Sequence, residues 1–206
     1  MNEYLFLIPI ALALVVGVIS PGPSFIIVAQ TALQKTRKHG VYTAFGLGIG
    51  ALTITLISSL GLFLILQGSS WLYIFFKILG GLYLSFLAYK IWINANTTLE
   101  KNTHIENQSS YFKSFLIGLF TQLSNPKTVV IIGGIIMAFL PDNIPSFTYI
   151  FLGLIAFVID AGWYLIVAIV LSTNKAQNIY IKFAIYINRF ASIVMISLAI
   201  KLVLNL

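Results

Sequence analysis

Long apolar stretches separated by short polar segments make up almost the whole chain. Runs of about 20 apolar residues are long enough to cross the hydrocarbon core of a bilayer as helices. The pattern predicts six such spans, at 4–30, 41–66, 71–93, 112–139, 147–171 and 184–204. Loops are predicted between them, at 34–40, 67–70, 94–110, 141–146 and 172–182. We therefore expect an all-α integral membrane protein with a single domain over residues 1–206.

The composition supports a membrane protein over a soluble one. Hydrophobic residues make up 59% of the chain and charged residues only 8%, whereas soluble domains carry about 25% charged residues. The chain contains no cysteine, which excludes disulfides, thiol redox chemistry and cysteine metal sites. It also lacks a His-Glu-x-x-His motif, and no histidine falls within a predicted span. We expect no metal, no cofactor and no enzymatic activity.

The basic residues predict the orientation of the chain in the membrane. Lysine and arginine occur in or beside the first, third and fifth loops and are absent from the second and fourth. The positive-inside rule places the odd loops in the cytoplasm and both termini on the periplasmic side. The basic residues behind the net charge of +7 therefore indicate the orientation of the chain in the membrane rather than a nucleic-acid partner. Because acidic Glu3 precedes a long apolar run, we expect the first segment to be a span and not a cleaved signal.

Two proline-containing breaks fall at matching places in the two halves of the chain. "SPGPSFIIV" at 20–28 interrupts the first span, and "SNPKTVVII" at 124–132 interrupts the fourth. Proline inside a helix costs about 3 kcal/mol or more. Because each half has three spans, the halves 1–93 and 112–206 are predicted to be inverted repeats. Broken helices at corresponding positions of inverted repeats indicate the binding site of a transporter.

The chemistry of a broken helix suits a carboxylate ligand. The break frees backbone N–H and C=O groups that need partners in hydrocarbon, and the second helix fragment begins with a positive dipole end. We predict a substrate site from the residues of both breaks: Pro21, Gly22, Pro23, Ser24, Asn125, Pro126 and Lys127. The alternative is a pair of purely structural kinks, although the matched positions favour a site.

Two charged residues are predicted near the middle of the bilayer, Lys127 in the fourth span and Asp160 in the fifth. Each costs on the order of 2.5–3.5 kcal/mol at a helix centre. One interpretation is an internal salt bridge. The functional alternative assigns Lys127 to the substrate carboxylate and Asp160 to its ammonium group or to a proton. Asp160 is the only acidic residue inside a predicted span, so it is the candidate for proton coupling.

Several stretches carry a family resemblance that covers nearly the whole chain. They are "PGPSFIIVAQTALQKTRKHGVYTAFGLGIG", "FKILGGLYLSFLAYKIW", "FTQLSNPKTVV", "DAGWYLIVA" and "INRFASIVMISLAIKLV". The chain resembles the lysine exporter and homoserine/threonine resistance (LysE/RhtB) family of amino-acid efflux proteins. The resemblance implies proton-driven export of amino acids or small zwitterions across the bacterial inner membrane. One departure is "FAS" at 190–192, where that family tends to have a glycine.

Two functions other than active export are the alternatives. A passive channel would need a continuous polar stripe along several helices, and a membrane-embedded protein without transport activity is the second alternative.

The expected partners are the substrate, protons and lipid. Gly46, Gly48 and Gly50 permit close helix approach, which makes a homodimer a further expectation. Four basic side chains are assigned no site role: snorkelling lysines at Lys77 and Lys201, and solvated loop histidines at His39 and His104.

Overall fold

The computed structural model describes residues 4–20, 22–68, 70–93, 110–141, 145, 147–170 and 174–204. These residues form eight α-helices and contain no β-strand. The helices are α1 (Leu7–Ile19), α2 (Pro23–Gln34), α3 (Arg37–Gly68), α4 (Ser70–Ile93), α5 (Tyr111–Leu123), α6 (Pro126–Phe139), α7 (Thr148–Val170) and α8 (Asn174–Leu204). The all-α prediction is confirmed for this part of the chain.

Both predicted breaks are present and bend the chain sharply. The axes of α1 and α2 differ by 60°, and those of α5 and α6 differ by 57°. Pro23 and Pro126 are the first residues of α2 and α6, a position where the missing N–H costs nothing and the fixed φ suits a helix. Asn125 caps α6 by accepting the Lys127 N–H through its side chain at 3.1 Å. Gly22, at the same position of α2, provides no side-chain cap.

The described helices contain between two and four candidate membrane spans. Arg37–Gly61 of α3 and the whole of α7 are each long and apolar enough to cross a bilayer alone. The bent pairs α1–α2 and α5–α6 meet the same criterion when each pair is taken as one broken span. Large apolar side chains face outward, with Leu12 63% and Val158 64% exposed. Such a surface is typical of contact with lipid rather than water.

Three of the predicted loops are wrong in extent. α3 already begins at Arg37, α3 and α4 together cover all of 67–70 except Ser69, and α8 begins at Asn174. Helices can continue past the end of their apolar stretch because polar side chains remain solvated there while the backbone stays hydrogen-bonded. The predicted loop at 94–110 lies outside the described residues except for Ser110. Ser110 caps α5, because its side chain accepts the Lys113 N–H.

α3 packs closely against α5 and α7 and forms the centre of the bundle. A Cβ at Gly46 would overlap the Phe115 carbonyl oxygen, and one at Gly118 would overlap that of Thr43. A Cβ at Gly48 would come 2.7 Å from Ala161 Cβ on α7. The prediction of close helix approach at these glycines is confirmed. Because α5 and α7 of the same chain occupy this glycine face, a homodimer would have to use another surface.

Candidate functional site

A small cavity lies at the level of the two breaks, between α1, α2, α6 and α7. Part of its lining is apolar and comes from Leu14 and Val18 of α1 with Ile131 and Ile132 of α6. The polar part of the lining contains Ser20, Ser24, Asn125, Lys127 and Asp160, together with Gly22. A polar cavity inside an apolar bundle matches the general form of a small-molecule site, in which few polar groups orient the ligand.

Five of the predicted site residues line this cavity: Gly22, Ser24, Asn125, Lys127 and Asp160. The structure therefore brings together residues of both breaks and the acidic residue of the fifth predicted span. Pro23 and Pro126 have exposed side chains and act as the first residues of their helices. Pro21 lies outside the described residues.

Gly22 is required for a close approach rather than for an unusual backbone conformation. Its φ of −166° is extended and accessible to any residue. A Cβ at this position would come 3.3 Å from Cδ and 3.4 Å from Nζ of Lys127. The absence of a side chain at Gly22 thus makes room for Lys127 as it crosses from α6 to the first break.

A chain of hydrogen bonds joins the two breaks to Asp160. Asn125 Nδ2 donates to Ser24 Oγ at 3.0 Å, and Ser24 Oγ donates to Gln122 Oε1 at 2.5 Å. Gln122 Nε2 in turn donates to Asp160 Oδ1 at 2.7 Å. All four side chains are buried. These buried polar side chains are therefore satisfied by each other across the interface between the two halves of the chain, as burial in an apolar environment demands.

Ser20, the residue that ends α1, is held from two directions. Its carbonyl accepts a hydrogen bond from Lys127 Nζ at 2.6 Å, and its hydroxyl donates to Asn188 Oδ1 of α8 at 3.0 Å. The Lys127 ammonium thus satisfies a backbone carbonyl freed by the first break. Lys127 and Asp160 face the same cavity, yet each bonds a neutral partner, Ser20 or Gln122, rather than the other. Their opposite charges still attract each other, without a direct hydrogen bond between the two side chains.

Sequence reasoning missed Gln122, Ser20 and Asn188. Gln122 is 1% exposed and bonds two site residues, Ser24 and Asp160. A strongly polar side chain in an apolar span, three residues before the Asn-Pro break, was the available signal. Asn188 lies near the middle of α8, which begins at Asn174, and is buried.

Two of the basic side chains outside the site have specific partners. The Lys201 ammonium lies 3.4 Å from the centroid of the Phe139 ring, a cation–π contact. Its snorkelling to the membrane interface stays a prediction. His39 belongs to the first turn of α3 and not to a loop, and its Nδ1 lies 2.8 Å from Ser114 Oγ of α5. The side chain of Lys77 and the whole of His104 lie outside the described residues.

Comparison with known proteins identifies relatives over most of the chain. The profile of the family described as LysE type translocator matches residues 15–206. A threonine efflux protein of Salmonella typhi is 30% identical over 199 residues, which cover 95% of this chain and 96% of that protein. A threonine efflux protein of Escherichia coli K12 is 29% identical over 202 residues, with coverage of 95% and 96%. No solved structure matches this chain.

Proposed function

The chain belongs to the family of LysE type translocators, and from this premise we propose that it exports threonine or a similarly small neutral amino acid from the bacterial cytoplasm. Membership makes it a transporter rather than an enzyme. The observation that carries the proposal is a cavity lined by Lys127 of one helix and Asp160 of another. Opposite charges in the lining of one cavity suit a zwitterion.

The lining of the cavity matches the parts of a small amino acid. The Lys127 ammonium and the first turn of α2, which has no side-chain cap, are favourable neighbours for the carboxylate. The Asp160 carboxylate suits the ammonium group, and the apolar part of the lining around Leu14 and Ile131 suits a short uncharged side chain.

The proposed architecture is two inverted repeats of three spans each, at 1–93 and 112–206. The packing of the helices supports it. α1 packs on α6 and α2 packs on α5, which are equivalent contacts if the first broken span corresponds to the second. α3 packs on α7 and α4 packs on α8, so each remaining helix contacts its proposed counterpart. A pseudo-two-fold axis in the membrane plane relates such halves in transporters.

The proposed orientation has both termini in the periplasm. The contact between His39 and Ser114 supports it, because it joins the beginnings of α3 and α5 and so favours the same membrane face for the two preceding basic segments. After Leu206, we expect activity from a fused reporter enzyme that works only in the periplasm. Within 94–110, we expect activity from an inserted reporter enzyme that works only in the cytoplasm. A cytoplasmic C-terminus would contradict the orientation.

Transport itself can be tested with the purified protein in lipid vesicles. We expect labelled threonine to accumulate above its bath concentration when the lumen is acidic relative to the bath, because outward proton movement drives inward substrate movement in an antiporter. A protonophore should abolish the accumulation, and vesicles without protein are the control. Simple equilibration without accumulation would support the passive channel, and absence of any threonine movement would contradict the proposed substrate.

A further inference from the structure

One backbone group determines which partner donates in each hydrogen bond of the series that runs from Asn125 to Asp160. The Lys127 N–H can only donate, so it fixes the Asn125 side-chain oxygen as its acceptor and turns the Asn125 NH₂ toward Ser24. Ser24 has a single hydroxyl proton, which it donates to the Gln122 oxygen. The Gln122 NH₂ must therefore face Asp160 Oδ1.

This arrangement makes the two oxygens of Asp160 unequal. Oδ1 accepts the Gln122 N–H at 2.7 Å, and the Gln122 amide cannot turn away without breaking its bond to Ser24. Asp160 also lines the cavity, where Gln122 is its hydrogen-bond partner among the described side chains. The second oxygen, Oδ2, is therefore the one available to a species in the cavity.

We infer that Gln122 is a positioning residue that confines exchange at Asp160 to a single carboxylate oxygen, so that a proton and the substrate ammonium exclude one another there. The inference rests on the proposed function and adds to it the residue that enforces one-for-one exchange. With Gln122 in place, Oδ2 holds either a proton or an ammonium group. Without Gln122, both oxygens face the site, and proton and substrate can bind together without displacing each other.

The surroundings of Asp160 identify it as the group whose charge changes. The charged side chain that shares its cavity is Lys127 of α6, and Tyr164, one turn further along α7, is the titratable side chain of its own helix in the cavity lining. α1 and α2 contribute the uncharged Ser20 and Ser24. The Lys127 ammonium is engaged by the Ser20 carbonyl and lies on the side proposed for the substrate carboxylate.

The test is the pH dependence of substrate affinity in lipid vesicles. Strict one-for-one competition raises the apparent KM for threonine by about tenfold per pH unit of acidification, because each substrate bound must release one proton. We expect this slope for the wild type in the acidic pH range in which Asp160 is protonated when no substrate is bound. For Gln122→Met, which keeps the length of the side chain but cannot donate, we expect a nearly flat slope with threonine exchange retained. Accumulation against a gradient should fall by about tenfold or more.

Thr121→Val is the matched control, because it replaces the neighbouring polar residue of α5 with an apolar one and should keep the wild-type slope. Ser24→Ala is an independent second variant. It removes the hydroxyl that holds the Gln122 oxygen and should flatten the slope in the same direction. A wild-type slope in Gln122→Met or in Ser24→Ala would overturn the inference while leaving the proposed function intact. Failure of the wild type to transport threonine would instead contradict the proposed function.

Discussion

Asp160→Asn is expected to abolish proton-driven accumulation of substrate and to retain exchange of internal for external substrate only at a higher KM, because the substrate ammonium loses its charged partner. Asparagine has nearly the same shape as aspartate, and its side-chain oxygen can still accept the Gln122 N–H that Asp160 accepts at 2.7 Å. It cannot bind or release a proton. The measurement compares accumulation of labelled threonine in vesicles with an acidic lumen against exchange in preloaded vesicles without a gradient.

The companion variant Lys127→Gln separates coupling from binding. Glutamine can still donate to the Ser20 carbonyl that Lys127 contacts, but it carries no charge for a substrate carboxylate. We expect a higher KM with proton dependence retained. A lost hydrogen bond to a charged group is worth about 1.5–3 kcal/mol, which corresponds to roughly 10- to 150-fold in affinity. Uphill, proton-dependent accumulation by Asp160→Asn would place coupling elsewhere and contradict our assignment of the acid.

Gly118→Ala is expected to destabilise the fold strongly. The Cβ of alanine would overlap the Thr43 carbonyl oxygen where α5 crosses α3. Because that neighbour is backbone, the two helices would have to move apart along their whole contact. Overpacking of this kind costs about 1–3 kcal/mol and occasionally more. The expected result is a lower yield of monodisperse protein in detergent and a lower Tm.

Gly133→Ala is the matched control for this prediction. Gly133 also lies inside a helix, α6, but a Cβ there would meet no atom within 4 Å. Alanine is favoured over glycine in a helix interior by about 0.8–1.0 kcal/mol. We therefore expect an unchanged or slightly higher Tm. An unchanged Tm for Gly118→Ala would mean that the α3–α5 distance is not limited by direct backbone contact.

The positions of the two breaks could be predicted from the sequence because their cause is local. Pro23 and Pro126 lack the N–H that a continuing helix requires, which favours the first position of a new helix for each of them. The cost of placing a charge in hydrocarbon is equally independent of the fold, which is why the sequence was sufficient to single out Lys127 and Asp160. Helix ends were less predictable, since α3 and α8 begin among the polar residues from Arg37 and Asn174.

The sequence by itself thus determined the apolar all-α character of the chain, its two breaks and the charged residues beside them. The tertiary structure alone decided which groups meet. Ser20 bonds Asn188 at a separation of 168 residues, and Gln122 bonds Ser24 and Asp160 at separations of 98 and 38. A hydrogen bond forms only within about 3 Å and in a narrow range of angles. Such distances depend on how closely the helices pack, and here that packing is governed by contacts such as the crossing of α3 and α5 at Gly46 and Gly118.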